Sequence, residues 1–123
     1  RKIKNKKGKL NLVFGCGGDR DKGKRKLMGK IANDLADIVY ITDDNPRFEN
    51  PASIRKEIIR YCKKSYEIAS RKEAIFQAVK ELKEKDLLLI AGKGHEQKQE
   101  LNGKTFPFND EKIAKIALKK RKK

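Results

Sequence analysis

The sequence predicts an α/β domain, a mostly parallel sheet flanked by helices with a terminal β-hairpin. Three observations carry this expectation. Short apolar runs alternate along the chain with segments whose apolar residues recur at helical spacing. One run, Leu87 to Ile90, is apolar throughout, as expected of a parallel strand covered on both faces. Asn102-Gly103 separates two further extended stretches, which is a strong hairpin signal.

Residues 1–9 are basic and aperiodic and read as a linker or cut end. Leu10 to Phe14 is the first strand and runs into Gly15-Cys16-Gly17-Gly18. The helix after it is expected to use Leu27, Met28, Ile31, Ala32 and Leu35 as its apolar face and to end at Asp37. Ile38 to Ile41 is the second strand, followed by the loop Thr42-Asp43-Asp44-Asn45-Pro46-Arg47. Pro46 fixes its own φ and pushes Asn45 towards an extended conformation, which predicts a stiff loop. Asn50 caps a helix with Pro51 at its first position, and Ile54, Ile58, Ile59 and Cys62 form its buried face. Tyr66 to Ala69 is a short third strand. Ser70-Arg71-Lys72-Glu73 is a capping box opening a helix with an apolar stripe of Ile75, Ala78, Val79 and Leu82. The strand Leu87 to Ile90 leads into Ala91-Gly92-Lys93-Gly94-His95-Glu96. Gln97 to Leu101 and Thr105 to Phe108 are the hairpin arms, and Asn109 and Asp110 cap a last helix carrying Ile113, Ile116 and Ala117.

A chain of 123 residues can bury one core. It contains no apolar run of 18 residues and no signal-peptide pattern, which excludes a membrane-spanning helix from the expectation and favours the cytoplasm. Cys16 lies in a glycine loop and Cys62 at the end of a helical pattern. Such a pair fits neutral thiols in a reducing compartment better than a disulfide framework or a metal site. The net charge of +16 invites a nucleic-acid reading, but its distribution weakens it. Residues 1–9 carry six positive charges and residues 119–123 five, with no acid in either stretch, while 10–118 carry a net of only +5. Aromatic residues are few, and no basic helix is interleaved with them.

Parallel strands would place three polar or glycine-rich loops, residues 15–25, 43–47 and 91–96, on one edge of the sheet, where ligands bind in open α/β folds. Gly18 to Lys24 fits the G-x-x-x-x-G-K part of a phosphate-binding loop, but Arg25 replaces the Ser or Thr that would hold magnesium. Asp19 and Asp21 would also oppose a phosphate, so Arg20 reads better as a donor held by neighbouring acids. A carboxamide and a guanidinium at Asn45 and Arg47 offer forked donors suited to a carboxylate. His95 has no nucleophile beside it in sequence and reads as a capping or packing residue. Glu96, at a strand end amid many cations, suits a ligand ammonium.

Residues 15–25, 42–47 and 91–96 together resemble the C-terminal domain of the Mur ligases, most closely the members that add meso-diaminopimelate, in the same order and spacing over about residues 10–118. The resemblance implies a Rossmann-like domain at 10–118, with 119–123 as a basic tail. It implies an ATP-dependent amide-bond former acting in cytoplasmic peptidoglycan precursor synthesis. ATP would phosphorylate the glutamyl carboxylate of a UDP-N-acetylmuramoyl dipeptide, and the amine of meso-diaminopimelate would attack the acyl phosphate. By matching motifs, Arg20, Asp44, Asn45, Pro46, Arg47, Gly92 and Glu96 would form the meso-diaminopimelate site. ATP and Mg2+ would be bound mainly by a central domain, so no catalytic or metal-ligating residue is expected in this segment, and the chain alone is expected to be inactive. A strand and helix that open the domain in that family have no counterpart before Leu10, Lys26 stands where proline is usual, and Gln97-Lys98 replace an acidic or aromatic pair. The alternative is a stand-alone module for an anionic ligand or nucleic acid, which would lose affinity far more steeply with salt than an amino-acid pocket.

Overall fold

The structure, a computed structural model, describes residues 8–18, 23–91 and 109–119 in full and the backbone of 98–101, 104–107, 120 and 121. Its elements are β1 (Leu10–Phe14), α1 (Gly23–Leu35), β2 (Ile38–Ile41), α2 (Pro51–Ile59), β3 (Ser65–Glu67), α3 (Arg71–Glu81), β4 (Leu87–Ile90), β5 (Lys98–Leu101), β6 (Lys104–Pro107) and α4 (Asp110–Arg121). The first four strands form a parallel sheet in the order β3-β2-β1-β4, and β5 and β6 pair separately as an antiparallel hairpin. This is the Rossmann-like arrangement expected. No described helix is long and apolar enough to cross a membrane.

Strand alternation divides the core. Phe14, Val39 and Ile41 pack with Ala32, Ile54 and Ile58 beneath α1 and α2. Val13 and Tyr40, their neighbours in sequence, point to the other face and pack with Ile75, Ala78, Val79 and Ala117 beneath α3 and α4. Local chemistry sets the helix starts. Asn50 Oδ1 accepts from the amides of Ala52 at 2.8 Å and Ser53 at 3.3 Å, with Pro51 opening α2. Ser70 Oγ accepts from Glu73 N at 3.2 Å, and Asn109 Oδ1 from Lys112 N at 3.1 Å. Asp37 exchanges hydrogen bonds with the backbone of Leu10, its amide donating and its carboxylate accepting, each at 2.8 Å. Upstream of β1, Lys9 N donates to Asp86 Oδ1 at 2.9 Å and Lys9 O accepts from Leu87 N at 2.9 Å.

Four local expectations are corrected. First, Ala32 is buried and Met28 packs against the same core as expected, but Leu27 is 57% exposed, Ile31 and Leu35 are exposed as well, and α1 buries Arg25 and Gly29 instead. The cause is close helix packing: a Cβ on Gly29 would sit 2.8 Å from Ile58 O and 3.0 Å from Tyr61 Cβ, so the small-residue face turns towards α2. Second, β4 is not covered on both faces. Leu12 lies opposite Leu89 and Val13 opposite Ile90. Leu87 and Leu89 therefore share the α1/α2 face, and there Leu89 is 52% exposed because β4 is the edge strand of the parallel sheet. Leu88 and Ile90 pack beneath α3 and α4 as expected. Third, β3 covers Ser65–Glu67 and not residues 66–69, because Ala69 is already part of the loop that accepts Thr42 Oγ1 at 3.1 Å. Fourth, α2 ends at Ile59 and α3 at Glu81, so Cys62 is buried in the turn beyond α2 and Leu82 is the C-cap of α3.

Candidate functional site

The three loops start from the same edge of the sheet, because β1, β2 and β4 are parallel. Between β1 and β4 the direction of travel across the sheet reverses, the position at which open α/β sheets bind their ligands. The glycine loop after β1 lies directly against the loop after β2. Thr42 N donates to Phe14 O at 3.0 Å and Gly18 N to Asn45 O at 2.9 Å. There is no room for a side chain at the contact: a Cβ on Gly15 would overlap the Thr42 carbonyl, and one on Gly18 the Pro46 carbonyl.

The conformation of Asn45 departs from the expectation. Its φ is 43° and that of Arg47 is 56°, so both are left-handed and Asn45 is not extended. Such a conformation costs roughly 1–2 kcal/mol per residue outside glycine. Tertiary hydrogen bonds offset that cost. Asn45 O accepts from Gly18 N and from Arg47 Nη1 at 3.2 Å, and Arg47 Nη1 also donates to Gly18 O at 3.1 Å. Asp44, Asn45 and Pro46 are buried, Asn45 with 2% of its surface exposed, while Arg47 is half-buried. Strain held by surrounding contacts is characteristic of ligand clamps.

Next to this loop, Asp43 is paired with Arg55, whose Nε also donates to Glu67 at 2.8 Å. Burial raises the Asp43 carboxyl above its usual range, with the Arg55 hydrogen bond opposing the shift. Two buried arginines, neither assigned a role from the sequence, lie behind the loops. Arg25 Nη2 donates to Glu49 at 2.7 Å and to Gly17 O at 3.1 Å, and Nη1 to Glu57 at 3.0 Å. Arg71 holds Asp110 in a bidentate pair, Nε and Nη2 each at 2.8 Å. Its Nη2 also reaches Ala91 O at 3.1 Å, and its Nη1 reaches Asp43 O at 3.4 Å. The recurrence of Gly29 and Ala32 on the face of Arg25 was the one available signal for the first; Arg71 left none.

The structure thus brings Asp44, Asn45, Pro46 and Arg47 against the glycine loop. Ala91, immediately before Gly92, donates its amide to Val13 O at 2.9 Å. Arg20, Gly92 and Glu96, with His95, lie outside the described residues. Among the described residues, no three His, Cys, Asp or Glu side chains are grouped to hold a metal ion.

Both cysteines are buried free thiols. Burial pushes Cys16 up to about 11, against the opposing pull of Lys24 and Arg25, and raises Cys62 as well. Only the thiolate is nucleophilic, so at pH 8 iodoacetamide should modify Cys16 about 100-fold more slowly than a free thiol, before shielding is counted. Both thiols should react promptly in urea. Rapid labelling of the native protein would contradict this placement.

A family model described as Mur ligase, glutamate ligase domain, matches residues 1–94. The UDP-N-acetylmuramoyl-L-alanyl-D-glutamate–2,6-diaminopimelate ligase of Rickettsia typhi is 56% identical over 118 residues, which covers 94% of this chain and 24% of that protein. The same-named protein of Chelativorans sp. is 53% identical over 114 residues, 93% of this chain and 24% of its own length. A solved structure of a ligase of that name superposes with a TM-score of 0.88 at 40% identity, over 94% of this chain and 24% of its own. The chain spans about a quarter of the length of the curated relatives it matches.

Proposed function

The chain belongs to the Mur ligase family, and from that premise we propose that it is the amino-acid-selecting part of a cytoplasmic ligase that joins meso-diaminopimelate to UDP-N-acetylmuramoyl-L-alanyl-D-glutamate. The observation that carries this reading is the Asn45–Arg47 loop, held in left-handed backbone against Gly15–Gly18 at the ligand edge of the sheet. A guanidinium fixed there by two carbonyls can give a carboxylate two parallel charge-assisted hydrogen bonds. Meso-diaminopimelate carries two carboxylates and two ammonium groups. Arg20, Asn45 and Arg47 are assigned to the carboxylates and Glu96 to an ammonium, with Asp44, Pro46 and Gly92 shaping the site. Residues 10–118 would be the domain, between basic ends.

When bound to the full-length ligase, ATP with Mg2+ would supply the activation of the glutamyl carboxylate. Following the family resemblance, both are assigned mainly to a central domain of the full-length ligase, and no step here runs through them. This part holds the incoming amino acid, orients its reacting amine and excludes competitors lacking the distal carboxylate.

The full-length protein carrying this chain, supplied with ATP, Mg2+ and the UDP-dipeptide, should release phosphate only when meso-diaminopimelate is added, and the chain alone should release none. Turnover independent of diaminopimelate, or phosphate release by the chain alone, would overturn the reading.

A further inference from the structure

We propose that Arg71 is a positioning residue for the amino-acid site: a buried fork that sets the spacing between the start of the Asp43–Arg47 loop and the end of β4 at Ala91. This inference rests on the proposed site. Arg71 is the first residue of α3 and its side chain is fully buried, while Asp110 is the first residue of α4. One guanidinium therefore links α3, which carries it, to three other parts of the chain. Its Nη1 reaches the carbonyl of Asp43, two residues before Asn45. Its Nη2 reaches the carbonyl of Ala91, the residue before Gly92. Its Nε and Nη2 clasp Asp110, and the backbone of Arg71 itself opens α3.

The chemistry suits this position. Carbonyls that end parallel strands have no further strand amide to donate to them, and burying them without donors is costly. A planar guanidinium can donate in several directions within one plane, so the two loop ends and the carboxylate become fixed relative to one another. The Asp110 carboxylate balances the buried cation and sits at a helix N-terminus, where negative charge is favoured. β1 and β4 are the neighbouring strands at which the chain's direction across the sheet reverses, and Arg71 ties the Ala91 end of β4 to the Asp43 end of the loop after β2. A ligand held from both sides thus depends on a separation that Arg71 sets without touching the ligand.

The test uses the full-length ligase with Arg71→Lys, which keeps the charge and loses the fork, and with Asp110→Asn, which keeps the shape and frees the guanidinium to rotate. Both should raise KM for meso-diaminopimelate about tenfold, with kcat and the KM for ATP and for the UDP-dipeptide changed less than twofold. Ile58→Val, in the opposite core cluster and assayed at matched fractional stability, should leave KM for meso-diaminopimelate unchanged. An unchanged KM in Arg71→Lys and Asp110→Asn, or an equal rise in Ile58→Val, overturns the proposal. Arg47→Ala run in parallel separates the two ideas: if it leaves diaminopimelate use intact, the proposed site itself is wrong, whereas an effect at Arg47 with none at Arg71 removes only the positioning role.

Discussion

Arg47→Ala in the full-length ligase should cut kcat/KM for meso-diaminopimelate by about two orders of magnitude while changing the poor use of lysine little. The two amino acids share the reacting end and differ chiefly in the distal carboxylate, which lysine lacks. Removing one partner of a desolvated charged pair costs about 2–5 kcal/mol, and each 1.4 kcal/mol is tenfold in efficiency. The structure sharpens this expectation. Arg47 Nη1 is fixed by Gly18 O and Asn45 O, so the guanidinium is held in one orientation before any ligand arrives. Alanine retains a Cβ, so the left-handed cost at φ 56° is unchanged and the loss isolates the guanidinium. Arg47→Lys should recover only part, because an ammonium cannot reproduce the fork. Equal proportional losses for diaminopimelate and lysine would show that Arg47 shapes the loop generally and does not read the distal carboxylate.

Gly18→Ala should lower the melting temperature by about 5–10 °C, corresponding to roughly 1–3 kcal/mol of overpacking in a domain of this size. The added methyl meets the Pro46 carbonyl, which is backbone and cannot swing aside as a side chain could. Relief requires the two loops to separate, which breaks the Gly18 N to Asn45 O bond and releases Arg47 Nη1 from Gly18 O. Gly15→Ala should act alike through the Thr42 carbonyl. Thermal melts of the chain itself check both, and an unchanged midpoint for Gly18→Ala would mean that the loops are not packed as described.

Much of the architecture was legible because periodicity reports directly on which residues share a face. Leu10–Phe14, Ile38–Ile41 and Leu87–Ile90 form the expected parallel strands, and their shared direction starts the three loops from one edge. Periodicity cannot choose between two candidate faces of one helix. In α1 only the Met28–Ala32 side of the expected stripe turns inward, joined by Gly29, while Leu27, Ile31 and Leu35 are exposed, because close approach to α2 rewards small residues. The openness of Leu87 and Leu89 depends on what lies beyond an edge strand, which no local pattern encodes. Asn45 misled because the pre-proline preference is a local term, outweighed here by bonds to Gly18 and Arg47. Arg25 and Arg71 were hidden because arginine is ordinarily a surface residue, and only the carboxylates and carbonyls brought from distant positions make its burial tolerable. For Arg20, Gly92 and Glu96, sequence remains the sole guide.

The placement of β1 in the sheet has a consequence for biosynthesis. A ribosome delivers this strand before the other three described strands of its sheet, yet its two neighbours arrive at very different times: Ile38–Ile41 soon, and Leu87–Ile90 only after β3 and α3 have emerged. The core cluster beneath α1 and α2 draws its buried members from Phe14 to Cys62, so that side can condense on the nascent polypeptide. Val13 and Tyr40 look the other way and wait for Ile75, Val79 and finally Ala117. The order of synthesis therefore completes one side of the sheet's core before the other, and in that interval the unfinished face is apolar surface without its cover.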